Sequence, residues 1–148
     1  MLNDMKLVIP AMSENEALAR SVVGAFAARL DPTLEEVEDI RTAVSEAVTN
    51  AIIHGYEGMQ EGEVTLYALA QGRQLILEVQ DYGRGIGNIE QARVPFYTSR
   101  PDLERSGMGF TIMESFMDQV EVISSPDKGT VVRMIKTIKG AEEASSGA

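Results

Sequence analysis

Two stretches of alternating side chains, each broken by a turn, constrain this chain most. In "EVTLYALAQ" (63–71) and "RQLILEVQD" (73–81), apolar residues recur at alternate positions on either side of a Gln71-Gly72 turn. "VEVISS" and "TVVRMIKTI" repeat the pattern over 120–138, around a turn at Pro126–Gly129. Alternation with period two and turn residues at the centre predicts a β-hairpin with one apolar face. Two hairpins cannot bury that face alone, so something else must cover it.

The remaining pattern supplies helices. "MKLVIP" (5–10) reads as a short strand closed by Pro10. Ser13 and Glu16 then have the S-x-x-E spacing of a capping box, and Leu18, Val22, Phe26 and Leu30 follow at i+4 intervals. That is one apolar stripe on a helix from about residue 14 to 30. "DPT" breaks it, and Thr33 with Glu36 repeats the capping pattern. A second helix is predicted to run to about residue 54, burying Val37, Ile40, Val44, Val48 and Ala51. Helices and hairpins in this order predict an α/β (α+β) two-layer sandwich, a mixed, mostly antiparallel sheet with helices on one face. One domain is expected over residues 1–139, followed by a small, polar, disordered tail over 140–148.

Composition removes several function classes. The 148 residues suffice for one real core. A net charge of -10 opposes direct binding to nucleic acid, whose phosphates repel such a surface. No apolar run approaches the ~18 residues of a membrane span, and the N-terminus lacks the pattern of a signal peptide. Without cysteine there is no disulfide, thiolate nucleophile or zinc–thiolate site, in keeping with a cytoplasmic protein. The lone histidine, His54, excludes a two-histidine metal site, and any Ser-His-Asp triad would have to be built on it. It falls at a helix end, before Gly55.

Three clusters carry chemistry. In "SEAVTNAIIHGYE" (45–57), Glu46 and Asn50 lie one helical turn apart and share a face. At about 100° per residue the apolar stripe spans roughly -40° to +40° about Val44, whereas this pair falls near 200° and 240°. Alone, that describes a solvated face. "DYGRGIGN" begins where the strand of 73–81 ends, with Asp81 followed by Gly83, Gly85 and Gly87. It reads as a tight turn, or as a place where backbone approaches a ligand and a carboxylate accepts from an exocyclic amine. "RSGMGFTIMESFM" (105–117) puts Gly107 and Gly109 at the mouth of a helix, where free N–H groups suit phosphate. It is neither a P-loop nor a Rossmann fingerprint.

Together, E-x-x-x-N on a helix, D-x-G-x-G-I after a strand and G-x-G opening a helix stand in a fixed order. That order resembles the N, G1 and G2 boxes of the GHKL superfamily of ATPases and kinases, which build the Bergerat ATP-binding fold. Within it, "SENE", "SEAVTNAIIHGYE" and "ERSGMGFTIME" are similar to the anti-sigma serine kinases, the sporulation branch more than the stress-response branch. The similarity covers nearly all of the chain but the tail. Tyr82 departs from it, standing where an acidic residue is common, without touching Asp81 or the glycines.

The resemblance implies ATP and ADP as ligands, Mg²⁺ as cofactor, and transfer of the γ-phosphate to a serine of an anti-anti-sigma factor. It also implies a sigma factor as second partner, a homodimer, and no direct contact with nucleic acid or membrane. By residue it implies Asn50 as the Mg²⁺ ligand and Glu46 as the group that takes the proton of the attacking hydroxyl. Asp81, Gly83, Gly85, Ile86 and Thr130 would hold the adenine. Gly107, Met108 and Gly109 would meet the phosphates. Residues 88–106 would form a lid in which Thr98, Arg105 and Ser106 reach the nucleotide, Arg105 stabilising charge at the γ-phosphate. Glu16 and Arg20 would belong to a partner surface. Their plain alternative is an i,i+4 ion pair worth ~0.3–0.5 kcal/mol. Two other functions stay open: an ATP-gated binding module without phosphotransfer, and the ATPase fragment of a larger machine or sensor kinase.

Overall fold

The computed structural model describes residues 3–55, 62–83, 109–125 and 129–140. Strand β1 (Asn3–Pro10) pairs along its whole length with β2 (Glu63–Gln71), which forms a hairpin with β3 (Gln74–Asp81). Among the described residues strand β4 (Gln119–Ser125) pairs only with β5 (Gly129–Thr137), and β5 joins β3. The sheet order is β1-β2-β3-β5-β4, and each of these pairings is antiparallel. The expected two-layer sandwich is therefore present, with the hairpins made adjacent by the β3–β5 pairing.

One sheet face is apolar and covered. Leu66, Leu75, Leu77, Val79, Val132 and Met134 are buried, and they meet Ile40, Val44, Val48, Val23 and Phe26 from the helices in one continuous core. Helix α1 (Asn15–Ala27), extended by a 3₁₀ turn at Ala28–Leu30, packs on α2 (Leu34–Asn50). Helix α3 (Gly109–Phe116) packs on α2 from another side, with Met113 fully buried.

Two details of α1 correct the sequence reading. Leu18 is 48% exposed, and the buried residues are Ala19, Val23, Phe26, Ala27 and Leu30. A strict i+4 row drifts by about 40° per step around a helix of 3.6 residues per turn, so Leu18 and Leu30 cannot share a face. The capping box expected at Ser13 does not form either. Glu14 holds the cap position without a side-chain bond, because the Glu16 carboxylate accepts from the Ser45 hydroxyl of α2 instead.

At α2 the expected box does form: Glu36 N–H donates to Thr33 Oγ1 at 3.1 Å, and Thr33 N–H to Glu36 Oε1 at 3.0 Å. The Glu36 carboxylate also receives the N–H groups of Lys139 and Gly140, at 2.7 and 3.0 Å. Burial pushes its pKa up, but these backbone donors outweigh burial and hold it below the ordinary value. Thus Gly140, the first residue of the expected tail, is tied to α2; the rest of that tail lies outside the described residues.

The α-helical pattern of α2 stops at Asn50, and Ala51–Gly55 continues as a wider π turn that includes His54. Val37 is only half-buried, whereas Ala43 and Ala47 join Ile40, Val44 and Val48 in the core. Those two alanines extend the buried arc of α2 to roughly -100° about Val44, next to Asn50 near -120°.

Candidate functional site

The register of the sheet brings one row of side chains to its end. Ile9, Val64, Asp81, Thr130 and Ser124 face one another across all five strands, on the side that carries the core. The first two are apolar and buried; the last three are polar. Asp81 is 5% exposed and Thr130 7%. A carboxylate at the edge of a hydrophobic layer must be answered by donors. Asp81 Oδ1 accepts from Gly83 N–H at 3.0 Å, closing an Asx-type turn, and the Thr130 N–H also faces the carboxylate. These donors do not offset the loss of water. Burial raises the Asp81 pKa from 3.8 to about 6, against the lowering effect of the two N–H groups.

Backbone fixes the same corner. Gly129 has φ +87°, and a Cβ there would lie 2.2 Å from the Asp81 carbonyl oxygen. Only glycine permits that approach. Beside it, the Ser124 hydroxyl donates to the Gly129 carbonyl at 3.0 Å and lies 2.7 Å from Thr130 Oγ1.

The other half of the site lies between helices. Glu46 and Asn50 are both half-buried on the last turn and a half of α2. Their face is only partly open to solvent, and at Asn50 the N-terminus of α3 rests against it. A Cβ at Gly109 would lie 2.7 Å from Asn50 Nδ2 and 3.2 Å from Oδ1. Gly109 therefore packs directly on the carboxamide. The first cluster and the third, distant in sequence, meet there.

Of the other residues singled out, Gly85, Ile86, Thr98, Arg105, Ser106, Gly107 and Met108 lie outside the described residues. Arg20 Nη1 stands 3.6 Å from Glu16 Oε1, so the ion pair exists, but Glu16 also accepts from Ser45 of α2, which sets it beside the α1–α2 contact and not on a free outer face. Sequence reasoning missed Ser124 as a site residue and treated Gly129 only as a turn residue. The signal for Ser124 is its pairing with Thr130, which depends on the hairpin register.

A metal held by the described residues would share its coordination with a bound molecule or water. Among the described residues no group of His, Cys, Asp or Glu side chains could hold an ion by itself. The Asn50 carboxamide oxygen, beside the mouth of a helix, suits a hard cation whose other ligands are phosphate oxygens and water. Among the described residues, no helix is long and apolar enough to cross a membrane.

A one-faced antiparallel sheet, a buried carboxylate at its end and an Asn packed on a helix-opening glycine define the class of protein: an ATP-binding domain of the GHKL type. The family of histidine kinase-like ATPase domains matches residues 9–136. The chain is 60% identical to an anti-sigma F factor of Clostridium acetobutylicum, over 90% of this chain and 93% of that one. It is 54% identical to one from Anoxybacillus flavithermus, over 92% and 93%. Among solved structures, the histidine kinase domain of a blue-light activated kinase from Erythrobacter litoralis superposes with a TM-score of 0.57 at 20% identity. That match covers 93% of this chain and 64% of the other, and it bears on the fold alone. This chain belongs to the anti-sigma F factor family, within the histidine kinase-like ATPase domains.

Proposed function

We propose that the chain is an ATP-dependent serine kinase that holds a sigma factor inactive and phosphorylates an anti-anti-sigma factor, acting as a homodimer of single domains spanning 1–139. The observation that carries this reading is that Glu46 stands one turn of α2 before Asn50, whose carboxamide packs against Gly109. Holding a nucleotide needs no proton acceptor. Glu46 beside the phosphate end of the site gives the kinase reading its advantage over an ATP-gated binding module.

The chemistry follows from the side chains. The Asp81 carboxylate accepts from the exocyclic amine of adenine, with Thr130 beside it and Gly83, Gly85 and Ile86 lining the base. Gly107, Met108 and Gly109 meet the phosphates through backbone N–H groups at the start of α3. Asn50 offers its carboxamide oxygen to Mg²⁺, which when bound neutralises phosphate charge. Glu46 takes the proton of the substrate serine hydroxyl as its oxygen bonds to the γ-phosphorus. The bond from that phosphorus to the bridging oxygen breaks, and ADP leaves. Thr98, Arg105 and Ser106 act from the 88–106 lid, Arg105 on the charge of the transferring group. Glu16 and Arg20 form part of the partner surface on α1.

The test is direct: incubate the protein with labelled ATP, Mg²⁺ and a candidate anti-anti-sigma protein, and look for phosphoserine. Label on that protein supports the kinase. Nucleotide-dependent capture of a sigma factor with no label would favour the gated module. Sigma-factor affinity should also differ among ATP, ADP and no nucleotide, and Arg105→Ala should reduce the difference.

A further inference from the structure

Helix α3 runs antiparallel to α2 and is held to it at both ends. Its first residue, Gly109, rests on the Asn50 carboxamide at the end of α2. Its last, Phe116, presents one of the carbonyls that a helix C-terminus leaves without a partner in the helix. The Lys136 ammonium, reaching over from β5, donates to that carbonyl at 2.8 Å and stands 3.8 Å from Asp39 Oδ2, in the first half of α2. Lys136 follows Thr130, Val132 and Met134 on the core face of its strand, and its side chain is only 12% exposed. A cation drawn that far out of water needs its charge answered. It finds a carboxylate on one side and the negative end of a helix dipole on the other. An apolar side chain would fill such a position at no greater cost, so the lysine is explained by what it connects.

Other bonds at this end do a different task. Asp118 N–H donates to the Ile135 carbonyl at 2.9 Å, and Thr137 N–H to Asp118 Oδ2 at 2.6 Å. These fasten the segment after α3 to β5 and do not reach α2. Helix α3 has eight residues, about 12 Å, and its middle is fixed by the fully buried Met113. A short rigid rod anchored at its middle moves both ends together. Loss of the strut at Phe116 would therefore shift Gly109 against Asn50, where the contact is so close that one added carbon would lie 2.7 Å from Nδ2.

We propose that Lys136 is a positioning residue: by bridging the Phe116 carbonyl and Asp39 it seats α3 on α2, and so sets the helix mouth at Gly109 beside Asn50 for the phosphates of a nucleotide. This rests on the reading of that mouth as the phosphate end of the site. Lys136 lies about 20 Å along β5 from Thr130 and acts only through α3. Asp81 and Thr130, at the base end, are held by the β3–β5 pairing, in which α3 has no part.

The experiment is calorimetric titration of ATP with Mg²⁺, and of adenosine, into the parent, Lys136→Met and Lys136→Arg. Adenosine carries the base without phosphates, so it reports the end of the site that α3 does not build. In Lys136→Met the affinity for ATP should fall roughly five- to tenfold, as the seated fraction of α3 falls, while that for adenosine stays within about twofold. Lys136→Arg, which keeps the charge and the donors, should restore most of the loss. A merely structural role would weaken both ligands by one factor; that result, or unchanged ATP affinity, overturns the proposal. If Lys136→Met does not fold, Lys136→Gln, polar but uncharged, is read the same way. A parent that binds ATP no more tightly than adenosine would instead overturn the phosphate role of the α3 mouth, and this proposal with it.

Discussion

Removing the charge at residue 81 should stabilise the unliganded protein while spoiling its hold on adenine. The folded chain raises the Asp81 pKa from 3.8 to about 6, chiefly by burial. The folded state therefore binds the proton more tightly than the unfolded chain, and stability falls as pH rises through the window from about 4 to 6. Two units at 1.36 kcal/mol each amount to about 3 kcal/mol withheld at neutral pH. A carboxamide in place of the carboxylate would carry no charge and would keep an oxygen for the Gly83 N–H. In Asp81→Asn the gain over the parent should be about 1.5 kcal/mol at pH 5, approaching about 3 kcal/mol at pH 7 and level above it. For a chain of this size that is roughly 6–12 °C in melting temperature. The assay is urea unfolding of both proteins without nucleotide from pH 5 to 8, above the sequence pI of about 4.5 where solubility would suffer. A difference that stays constant over this range, or shrinks as pH rises, would refute the argument. The same variant should lose preference for ATP over GTP, since an amide offers one acceptor oxygen in place of two. If it gains stability and keeps its selectivity, the base is read elsewhere.

Glu46→Gln should retain nucleotide binding and lose phosphotransfer, because it removes a proton acceptor with little change of volume; equal rates in a phosphoserine assay would end the general-base role. Asn50→Ala should abolish most of the Mg²⁺-dependent gain in ATP affinity, measured by calorimetry with and without the ion. Gly109→Ala should do nearly the same, since its Cβ would fall 2.7 Å from Asn50 Nδ2, and the double variant should be no worse than either single one; additive losses would show that the two act apart. Thr33→Ala should cost about 1 kcal/mol of stability by removing the cap of α2, and an unchanged denaturation midpoint would mean that the Lys139 and Gly140 contacts to Glu36 suffice to anchor that helix end.

Local pattern carried the element types. Alternation in 63–81 and 120–138 dictates hairpins because side chains on a strand point to opposite faces in turn. The Thr33–Glu36 box starts α2 because both donors that need partners lie within one turn of those side chains. Each of these is decided by neighbours in sequence, so the sequence alone determined it, along with the order of the three clusters that marks the family. What lay across the chain was not legible. The Ser13 box fails because Ser45, on another helix, attracts Glu16. Ala43 and Ala47 become core, and Asn50 becomes covered by Gly109, only once the neighbouring helices dock on α2. A turn over 126–129 would set Ser125 opposite Thr130; the observed pairing sets Ser124 there, so it is the Ser124 hydroxyl that meets Thr130 Oγ1. The raised pKa of Asp81 likewise follows from burial beneath distant residues. Periodicity fixes which side of an element is apolar, but solvent exclusion and hydrogen-bond partners depend on what packs against it, and that only the tertiary structure decided.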